Sequence, residues 1–257
     1  MNFQGLWWGG VAESGWGINF AHQGDVIFAT WFTYDLNGNP WWLTMSANKT
    51  VGDTYSGQLI QTSGAPFFAY VPPATPTVVG NGTLTFTSAT SGSFAYTVNG
   101  ISQTKAISLQ AFATPPTCTW GAQPDLTLAT NFQDLWWATG GVESGWGVNL
   151  THQGTTIFAT WFTYDSQRKP LWYSVTAAQT APKTYSGQLV KTSGPPFNTV
   201  PFESDKVQRM KVGTATFTFT DGNTGSFAYT VNDGANTGTQ TKSITRQVFR
   251  PPGTVCQ

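Results

Sequence analysis

The stretch IFATWFTYD at residues 27–35 recurs without a change at residues 157–165. Its β-branched and aromatic residues are typical of a buried β-strand. Further stretches recur at nearly the same spacing: NFQxLWW at 2–8 and 131–137, ESGWGxN at 13–19 and 143–149, TYSGQL at 54–59 and 184–189, and GSFAYTVN at 92–99 and 225–232. This period is far longer than that of a solenoid repeat, so each copy is predicted to form a domain.

The two copies suggest a simple division of the chain. We predict a first Trp-rich β-barrel repeat at residues 1–112, a proline-containing linker at 113–130 and a second Trp-rich β-barrel repeat at 131–257. Each copy closes with an alternating run, a Pro-Pro pair and a cysteine. Cys118 and Cys256 are the only cysteines and follow matching segments, so we expect them to form one disulfide.

Within each copy the pattern is that of β-strands throughout. Apolar residues alternate with small or polar ones from Trp16 to Gln23, and residues 36–39 have the composition of a hairpin turn. The strands predicted in copy 1 are 3–8, 16–23, 26–35, 41–46, 54–61, 83–88, 93–99 and 103–112. These eight short sequential strands favour an all-β, antiparallel up-and-down barrel in each copy, with a two-sheet β-sandwich as the alternative.

The composition restricts the classes of partner. Charged residues make up 9% of the chain, but 15% of residues are aromatic, which is the opposite of a disordered chain. Twelve basic residues balance twelve acidic ones, so we expect no nucleic-acid partner. No apolar run approaches the roughly 18 residues of a membrane span, so membrane insertion is not expected. Phosphate and dinucleotide motifs are absent, and no cofactor is predicted.

The start of the chain lacks the features of a signal peptide. However, Asn2-Phe-Gln reappears in mid-chain at residues 131–133, so we expect Met1 to be an added start on a trimmed chain. The abundance of Gly, Ser, Thr, Asn and Gln, with few lysines, is typical of exported proteins. The sequence therefore predicts a secreted, periplasmic or cell-envelope protein.

The block ESGWG(I/V)N…FATWFTYD resembles a tandem Trp-rich repeat module of uncharacterised secreted bacterial proteins. The resemblance covers nearly the whole chain and implies secretion, but it implies no mechanism. Such repeats carry an arginine before the closing Gln-x-Phe, which Arg246 matches, whereas Leu109 stands at this position in copy 1. The strand count and the first strand are also similar to the avidin-type barrel, by analogy of fold alone.

The strand IFATWFTYD is identical in the two copies on both of its faces. This identity must be explained for each face, because the residues of a solvated face are free to change between copies. One cause is burial of both faces, for instance by contact between domains. The other is that one face lines a ligand cavity. In that case Trp31 and Trp161 would form a stacking floor, with Thr33 and Thr163 as polar neighbours.

Other polar and charged residues complete the candidate set. Glu13 and Glu143 are interpreted as loop carboxylates, as rim acceptors for ligand hydroxyls or as general acids. Arg246 is expected to be buried and paired with Glu143. The predicted ligand-binding residues are Glu13, Asn19, Trp31, Thr33, Trp42, Glu143, Asn149, Trp161, Thr163, Trp172 and Arg246.

Several residues are predicted to be structural. His22 and His152 are interpreted as buried, hydrogen-bonded core residues, since no second His or Cys stands at metal-ligand spacing. Asp35 is predicted to hold a turn, and Lys105 and Lys242 to be solvated. No catalytic or metal-binding residue is assigned. The irregular stretches expected at 63–81 and 193–212 begin with Ser-Gly-x-Pro-Phe and then diverge, either as ligand-site rims or as tolerated surface loops.

The leading functional hypothesis is non-catalytic binding of a small ring-bearing ligand or glycan by aromatic stacking and Asn, Gln and Thr hydrogen bonds. A carboxylate-dependent hydrolase or isomerase acting through Glu13 and Glu143 is one alternative. A structural or adhesive repeat protein without a ligand is the other. The sequence predicts neither the identity of the ligand nor the oligomeric state.

Overall fold

The computed structural model describes residues 1–257 and contains two closed antiparallel barrels of eight strands each. The predicted all-β class and up-and-down barrels are therefore confirmed, and the sandwich alternative is wrong. The first barrel consists of β1 (Gly5–Trp8), β2 (Gly17–Gln23), β3 (Val26–Tyr34), β4 (Pro40–Lys49), β5 (Thr54–Ser63), β6 (Thr75–Phe86), β7 (Ser91–Val98) and β8 (Ile101–Leu109).

The second barrel repeats this order, and a separate strand pair completes the sheets. After β9 (Cys118–Trp120), its strands are β10 (Asp134–Ala138), β11 (Gly147–Gln153), β12 (Thr156–Tyr164), β13 (Pro170–Ala181), β14 (Thr184–Ser193), β15 (Gln208–Phe219), β16 (Thr224–Asp233) and β17 (Asn236–Arg246). Strand β18 (Thr254–Cys256) pairs with β9. No helix long and apolar enough for a membrane span is present.

The strands pair in chain order, and the first strand closes on the last. Trp7 lies opposite Leu109 in the first barrel, and Trp136 lies opposite Arg246 in the second. Closure leaves no free edge in either barrel, which removes the usual site of strand-to-strand aggregation there.

The register identifies the inner face of the first barrel. Ile18 lies opposite Trp31, which also contacts Phe94 and Tyr96 of β7. Because β7 is not a neighbour of β3, the Trp31 ring must point into the barrel. The alternation of β3 then places Ile27, Ala29, Trp31 and Thr33 inside.

The barrel interior is filled by aromatic side chains. In the first barrel the Phe3 and Phe86 rings stack with centroids 3.7 Å apart, and Trp31 and Tyr96 lie 4.6 Å apart. The equivalent rings of the second barrel are packed in the same way, as in the Phe132–Phe219 pair. Burial of each large side chain stabilises the fold by about 2–3 kcal/mol, so these rings are the main core of each barrel.

The chain forms two compact units that interleave the copies. Unit 1 contains residues 1–62, 76–110 and 192–208, and unit 2 contains residues 63–75, 111–191 and 209–257. Each unit thus combines the barrel of one copy with a segment from the other copy. We call residues 63–75 and 192–208 the plug segments, because each one closes an end of the barrel in its unit.

Apart from Thr192, the plug segments lie within the two stretches predicted to be irregular, but those stretches are shorter than expected. Strand β6 begins at Thr75 and β15 at Gln208, well before residues 82 and 213. The first residues of both strands are exposed on both faces. They therefore lack the apolar alternation by which a strand is recognised in a sequence.

The predicted disulfide between Cys118 and Cys256 is confirmed. It joins β9 to β18, and both cysteines belong to unit 2. The Gln133 side-chain amide donates a hydrogen bond of 3.4 Å to the Cys118 sulfur. The bond closes a long stretch of chain, which stabilises the fold by up to roughly 5 kcal/mol in the chain-entropy description.

The exchange of plug segments predicts that the two halves of the chain stay together after the linker is cut. A protease site inserted between Ala113 and Thr114, which are both exposed, would separate residues 1–113 from 114–257. Both cysteines lie on the second fragment, so the disulfide does not join the fragments. We expect the cut protein to elute as one species in size-exclusion chromatography under native conditions.

A cut chain that also carries Phe67→Ala and Phe197→Ala is the control. Each substitution removes a buried ring from a plug segment, so the fragments should separate at a lower urea concentration. Separation of the unsubstituted fragments in native buffer would contradict the exchange.

Candidate functional site

The plug segment 192–208 closes the barrel of unit 1 through main-chain hydrogen bonds. The Gly194 N–H donates to the Gly38 carbonyl at 3.1 Å, and the Phe197 N–H donates to the Tyr34 carbonyl at 3.0 Å. The Tyr34 hydroxyl also lies within hydrogen-bond distance of the Thr192 hydroxyl, at 3.1 Å. These bonds align the start of the plug segment with the end of β3.

The Phe197 ring enters the barrel and contacts the inward aromatic residues. Its centroid lies 6.0 Å from that of Trp31, 5.4 Å from Trp41 and 6.1 Å from Tyr96. The ring is almost completely buried. It occupies the position beside Trp31 that is predicted for a ligand ring.

Side chains of the barrel hold the carbonyl groups that follow this ring. The Tyr96 hydroxyl donates to Gln103 Oε1 at 2.6 Å and, more weakly, to the Phe197 carbonyl at 3.1 Å. The Gln103 amide donates to the Asn198 carbonyl at 2.7 Å. Burial, and then the nearby Glu13 carboxylate, raise the pKa of the Tyr96 hydroxyl, so it remains a proton donor. The mouth of the barrel therefore supplies both an aromatic wall and hydrogen-bond donors.

Unit 2 contains the same arrangement with the plug segment 63–75. The Phe67 centroid lies 5.0 Å from Trp161, 6.1 Å from Tyr173 and 5.7 Å from Tyr229. The Tyr229 hydroxyl donates to Gln240 Oε1 at 2.5 Å and, more weakly, to the Phe67 carbonyl at 3.4 Å. The Gln240 amide donates to the Phe68 carbonyl at 3.1 Å.

A glycine is required three residues before each plug phenylalanine. A Cβ atom at Gly194 would lie 2.7 Å from the Tyr34 ring, and one at Gly64 would lie 2.4 Å from the Tyr164 ring. Real Cβ atoms do not approach other atoms so closely. The Ser-Gly-x-Pro-Phe sequence shared by the two copies is thus explained by a close glycine contact and a buried ring.

The ESGWG loops receive the far end of each plug segment. Gly15 lies against Val207, and Gly145 lies against Tyr70 and Ala74. Both loop glycines have a positive φ, +137° and +122°, which residues with a Cβ rarely adopt. The Tyr34 hydroxyl donates to the Gly15 carbonyl at 2.7 Å, so the loop and the plug segment share one tyrosine.

Glu13 and Lys105 form an ion pair beside the mouth of the first barrel. The Lys105 Nζ lies 2.9 Å from Glu13 Oε2, which also accepts a hydrogen bond of 3.0 Å from the Trp16 indole. Lys105 is only 6% exposed, so the prediction that it is solvated is wrong. Its side chain points inward because Lys105 lies opposite the interior residue Phe94. The ion pair offsets the desolvation of the ammonium group.

The second barrel has the corresponding pair. The Lys242 Nζ lies 2.9 Å from both carboxylate oxygens of Glu143, and the Trp146 indole donates to Glu143 Oε2 at 2.9 Å. The prediction that Lys242 is solvated is also wrong, since its side chain is 15% exposed. The two glutamates thus bind the neighbouring lysine and indole. A carboxylate-dependent reaction stays a prediction.

The predicted ligand-binding residues lie on two faces of the sheet. Trp31 and Thr33 lie inside, whereas Asn19 pairs with Thr30, and Trp42 with Phe32, on the opposite face. The second barrel divides Trp161 and Thr163 from Asn149 and Trp172 in the same way. All eight of these predicted residues are buried, so the unchanged strand is buried on both faces. The structure does not bring the predicted residues together into one site.

The indole nitrogens of Trp31 and Trp161 are both buried without a hydrogen-bond partner. Such groups are rare in folded proteins, because an unmade buried hydrogen bond costs about 1–3 kcal/mol. Beside Trp161, the Phe67 ring leaves only a void too small for a water molecule. The same unused donor therefore occurs in the inward tryptophan of both barrels.

Arg246 is buried but does not pair with Glu143, so that prediction is wrong. Its Nη1 lies 3.2 Å from Asp134 Oδ2 and donates to the Gln133 carbonyl at 3.1 Å. Further guanidinium N–H groups donate to the carbonyls of Gly222 and Asn131. Glu143 is not available, since it is paired with a lysine.

The sequence contained a signal that Asp134 is the partner of Arg246. Copy 1 has Gly5 where copy 2 has Asp134, and Leu109 where copy 2 has Arg246. Both charges of the buried pair are therefore replaced together. Burial raises the pKa of the Asp134 carboxyl to about 6, although the Arg246 guanidinium beside it opposes this shift.

His22 and His152 are buried and hydrogen-bonded, as predicted. His22 Nδ1 accepts the Phe3 N–H at 2.9 Å, and its Nε2 donates to the Gly24 carbonyl at 3.0 Å. Burial lowers the pKa of both imidazoles to about 4. The rings are therefore neutral and structural at neutral pH.

Asp35 holds a turn, as predicted, by accepting the N–H groups of Asn37 and Asn39 at 2.8 and 2.9 Å. No cluster of three or more His, Cys, Asp or Glu side chains that could hold a metal ion is present.

Comparison of the chain with protein-family models, with curated proteins and with solved structures found no match. The resemblance to secreted bacterial repeat modules therefore stays a prediction.

The Asp134–Arg246 pair predicts a large difference between single and double substitutions. Arg246→Leu alone leaves a buried carboxylate without its partner and should lower the free energy of unfolding by about 3–5 kcal/mol. Asp134→Gly with Arg246→Leu reproduces copy 1 and should recover most of this loss. Chemical denaturation of the three proteins measures the difference. Equal destabilisation by the single and the double substitution would contradict the pairing.

The buried histidines predict a loss of stability at mildly acidic pH. An unfolded histidine binds a proton near pH 6.5, but the folded rings bind one only near pH 4. The unfolded state therefore binds more protons between these values, and the free energy of unfolding falls as the pH falls from 6.5 to 4. Each histidine contributes on the order of 3 kcal/mol to this fall.

The control for this pH effect is the double variant His22→Asn and His152→Asn, whose amide oxygens can replace the Nδ1 acceptors. Denaturation at several pH values should show a flatter profile for this variant. Parallel profiles for the two proteins would show that the histidines do not cause the effect.

Proposed function

We propose that the chain binds small ring-bearing ligands without catalysis, one at each barrel mouth. The ligand ring takes the position of Phe197 beside Trp31, or of Phe67 beside Trp161. The observation that supports this most directly is that both mouths already hold a phenyl ring against the inward tryptophan.

The unused indole N–H groups add a requirement for the ligand. A phenyl ring has no atom that accepts the hydrogen bond from Trp31 Nε1 or Trp161 Nε1. A ring that carries a hydroxyl, ether or carbonyl oxygen can accept it and so remove the cost of a buried, unmade bond. This favours a sugar, a phenol or an oxygen-bearing heterocycle over a plain hydrocarbon.

Further hydrogen bonds to the ligand come from residues different from those expected. Asn19 and Trp42 lie on the other face of the sheet and do not take part. The Gln103 amide supplies a donor in the first barrel, since it already binds the Asn198 carbonyl of the plug segment. The Tyr96 hydroxyl donates mainly to Gln103 Oε1. The ligand is uncharged, because the charges of Glu13 and Lys105 compensate each other.

The proposed location is outside the cytoplasm, in the secreted, periplasmic or cell-envelope space. The disulfide between Cys118 and Cys256 supports this, because disulfides persist mainly in oxidising compartments.

A structural repeat without a ligand is the second candidate. The filled barrel interior favours it, since Trp31 and Trp161 pack against aromatic rings of their own unit. In this case the tryptophans serve the core alone, and the unused N–H groups are a tolerated cost.

A Phe197→Ala variant tests the proposal. Loss of the phenyl ring should cost about 3–5 kcal/mol and leave a cavity beside Trp31. Phenol, indole and methyl β-glucoside should be titrated against the variant and the unsubstituted chain, with tryptophan fluorescence as the readout. We expect a saturable response to at least one oxygen-bearing probe in the variant, and at least tenfold weaker binding to the unsubstituted chain.

Phe67→Ala provides the matched control in the second barrel, and Trp31→Phe in the Phe197→Ala background removes the indole donor. The Trp31→Phe substitution should weaken the binding of oxygen-bearing probes more than the binding of indole. No saturable response to any probe, while circular dichroism shows both alanine variants to be folded, would reject the proposal in favour of the structural repeat.

A further inference from the structure

The plug segments are bound through their main chain as well as through a ring. In unit 1, the Gly194 N–H donates to the Gly38 carbonyl and the Phe197 N–H to the Tyr34 carbonyl. In unit 2, the Gly64 N–H donates to the Arg168 carbonyl at 3.3 Å. Main-chain bonds of this kind recognise an extended peptide whatever its side chains.

Two positions of the segment are selected by their side chains. The glycine position excludes any Cβ atom, because Tyr34 or Tyr164 lies against it. The phenylalanine position, three residues later, is a buried aromatic pocket. These two positions have the same spacing in both units.

The proline between them suits an extended ligand. Pro66 has φ −62° and ψ 148°, the extended conformation that proline favours in isolation. A segment with proline at this position therefore loses less conformational entropy on binding. The proline has no N–H group.

The residues after the phenylalanine are not selected in the same way. The plug segments continue as Phe-Ala-Tyr in one copy and Asn-Thr-Val in the other. Gln240 and Gln103 nevertheless bind the main-chain carbonyl of Phe68 and of Asn198, respectively. One arrangement of donors thus accepts different downstream side chains.

We infer that each barrel mouth is a peptide-binding site specific for the sequence Gly-x-Pro-Phe, and that its ligand in trans is this segment of a second copy of the chain. The inference rests on the proposed function, since the phenylalanine occupies the proposed ring position. Both examples of the ligand come from this chain, and every contact described above forms equally well with the segment of a neighbouring copy.

The barrel mouth must be emptied of its own plug segment before binding of a free peptide can be tested. A segment tethered in the same chain has an effective concentration in the millimolar range, which prevents a free peptide from competing. The full chain carrying Gly194→Val and Phe197→Ser should release its own plug segment. The valine would overlap the Tyr34 ring, and the serine would leave the aromatic pocket empty.

The probe is the acetylated, amidated peptide Ser-Gly-Pro-Pro-Phe-Asn, which corresponds to residues 193–198. Calorimetry and tryptophan fluorescence should show saturable binding of one peptide to the emptied chain and none to the unsubstituted chain. A peptide with valine in place of its glycine, and one with serine in place of its phenylalanine, should each bind at least tenfold more weakly.

Gln103→Leu in the emptied chain separates peptide recognition from ring binding. It removes the bond to the carbonyl after the phenylalanine. It should weaken peptide binding about tenfold and phenol binding by a smaller factor. If the peptide binds no more tightly than acetyl-phenylalanine amide, the inference is wrong while the proposed function stands. If neither phenol nor the peptide binds, both are wrong.

If the emptied chain does not fold, the single Phe197→Ala variant takes its place. The peptide should then raise the melting temperature of this variant, and the valine-containing peptide should not. The absence of such a rise at millimolar peptide would overturn the inference.

The trans ligand is tested by refolding the unsubstituted chain at high concentration. Light scattering should detect dimers formed by exchange of plug segments. These dimers should be absent when Gly64→Val, Phe67→Ser, Gly194→Val and Phe197→Ser are combined. A purely monomeric refolded chain would exclude the second copy as the ligand.

Discussion

The packing of one phenyl ring against one inward tryptophan is the interaction that closes each barrel. Phe197 covers Trp31, and Phe67 covers Trp161. Without these rings, the aromatic interior would open to water at one end, where exposed apolar surface costs about 25 cal/mol per Å². The phenyl ring is placed by three further features: the close glycine contact, the main-chain hydrogen bonds, and the hydrogen bonds from the Gln and Tyr side chains.

The two barrels have the same aromatic packing, but only the second contains a buried ion pair between its first and last strands. In the second barrel the closing strand carries Arg246, whose charge is balanced by Asp134 and whose N–H groups bind backbone carbonyls. The first barrel has Leu109 and Gly5 instead, so that no charge is buried at these two positions. A buried ion pair often contributes little net stability, which allows both solutions in one chain.

Much of the fold could be predicted from the sequence because it depends on local patterns. The period-two alternation identified the eight strands of each copy, and His22 was recognised as a core residue from its place on an apolar face. The beginning of β6 was missed, since its first residues are exposed on both faces. Lys105 was misassigned because burial of a lysine requires an acidic partner. The partner, Glu13, is far away in the sequence, so the pair is recognised only in the folded structure.

The exchange of plug segments was not predictable from such patterns. Alternation shows where a strand runs, but it does not show which of two equivalent barrels a loop enters. The one available signal was that Ser-Gly-x-Pro-Phe is retained in two loops that otherwise diverge. The glycine is retained because a tyrosine ring lies against Gly64 and Gly194. The phenylalanine is retained because Phe67 and Phe197 fill an aromatic pocket.

The exchange has a consequence for synthesis of the protein. A chain emerges from the ribosome from its N-terminus, at roughly 5–20 residues per second. The strands of the first barrel are complete at Leu109, but the segment that closes this barrel ends only at residue 208. For many seconds the nascent barrel must therefore present its open aromatic end to its surroundings.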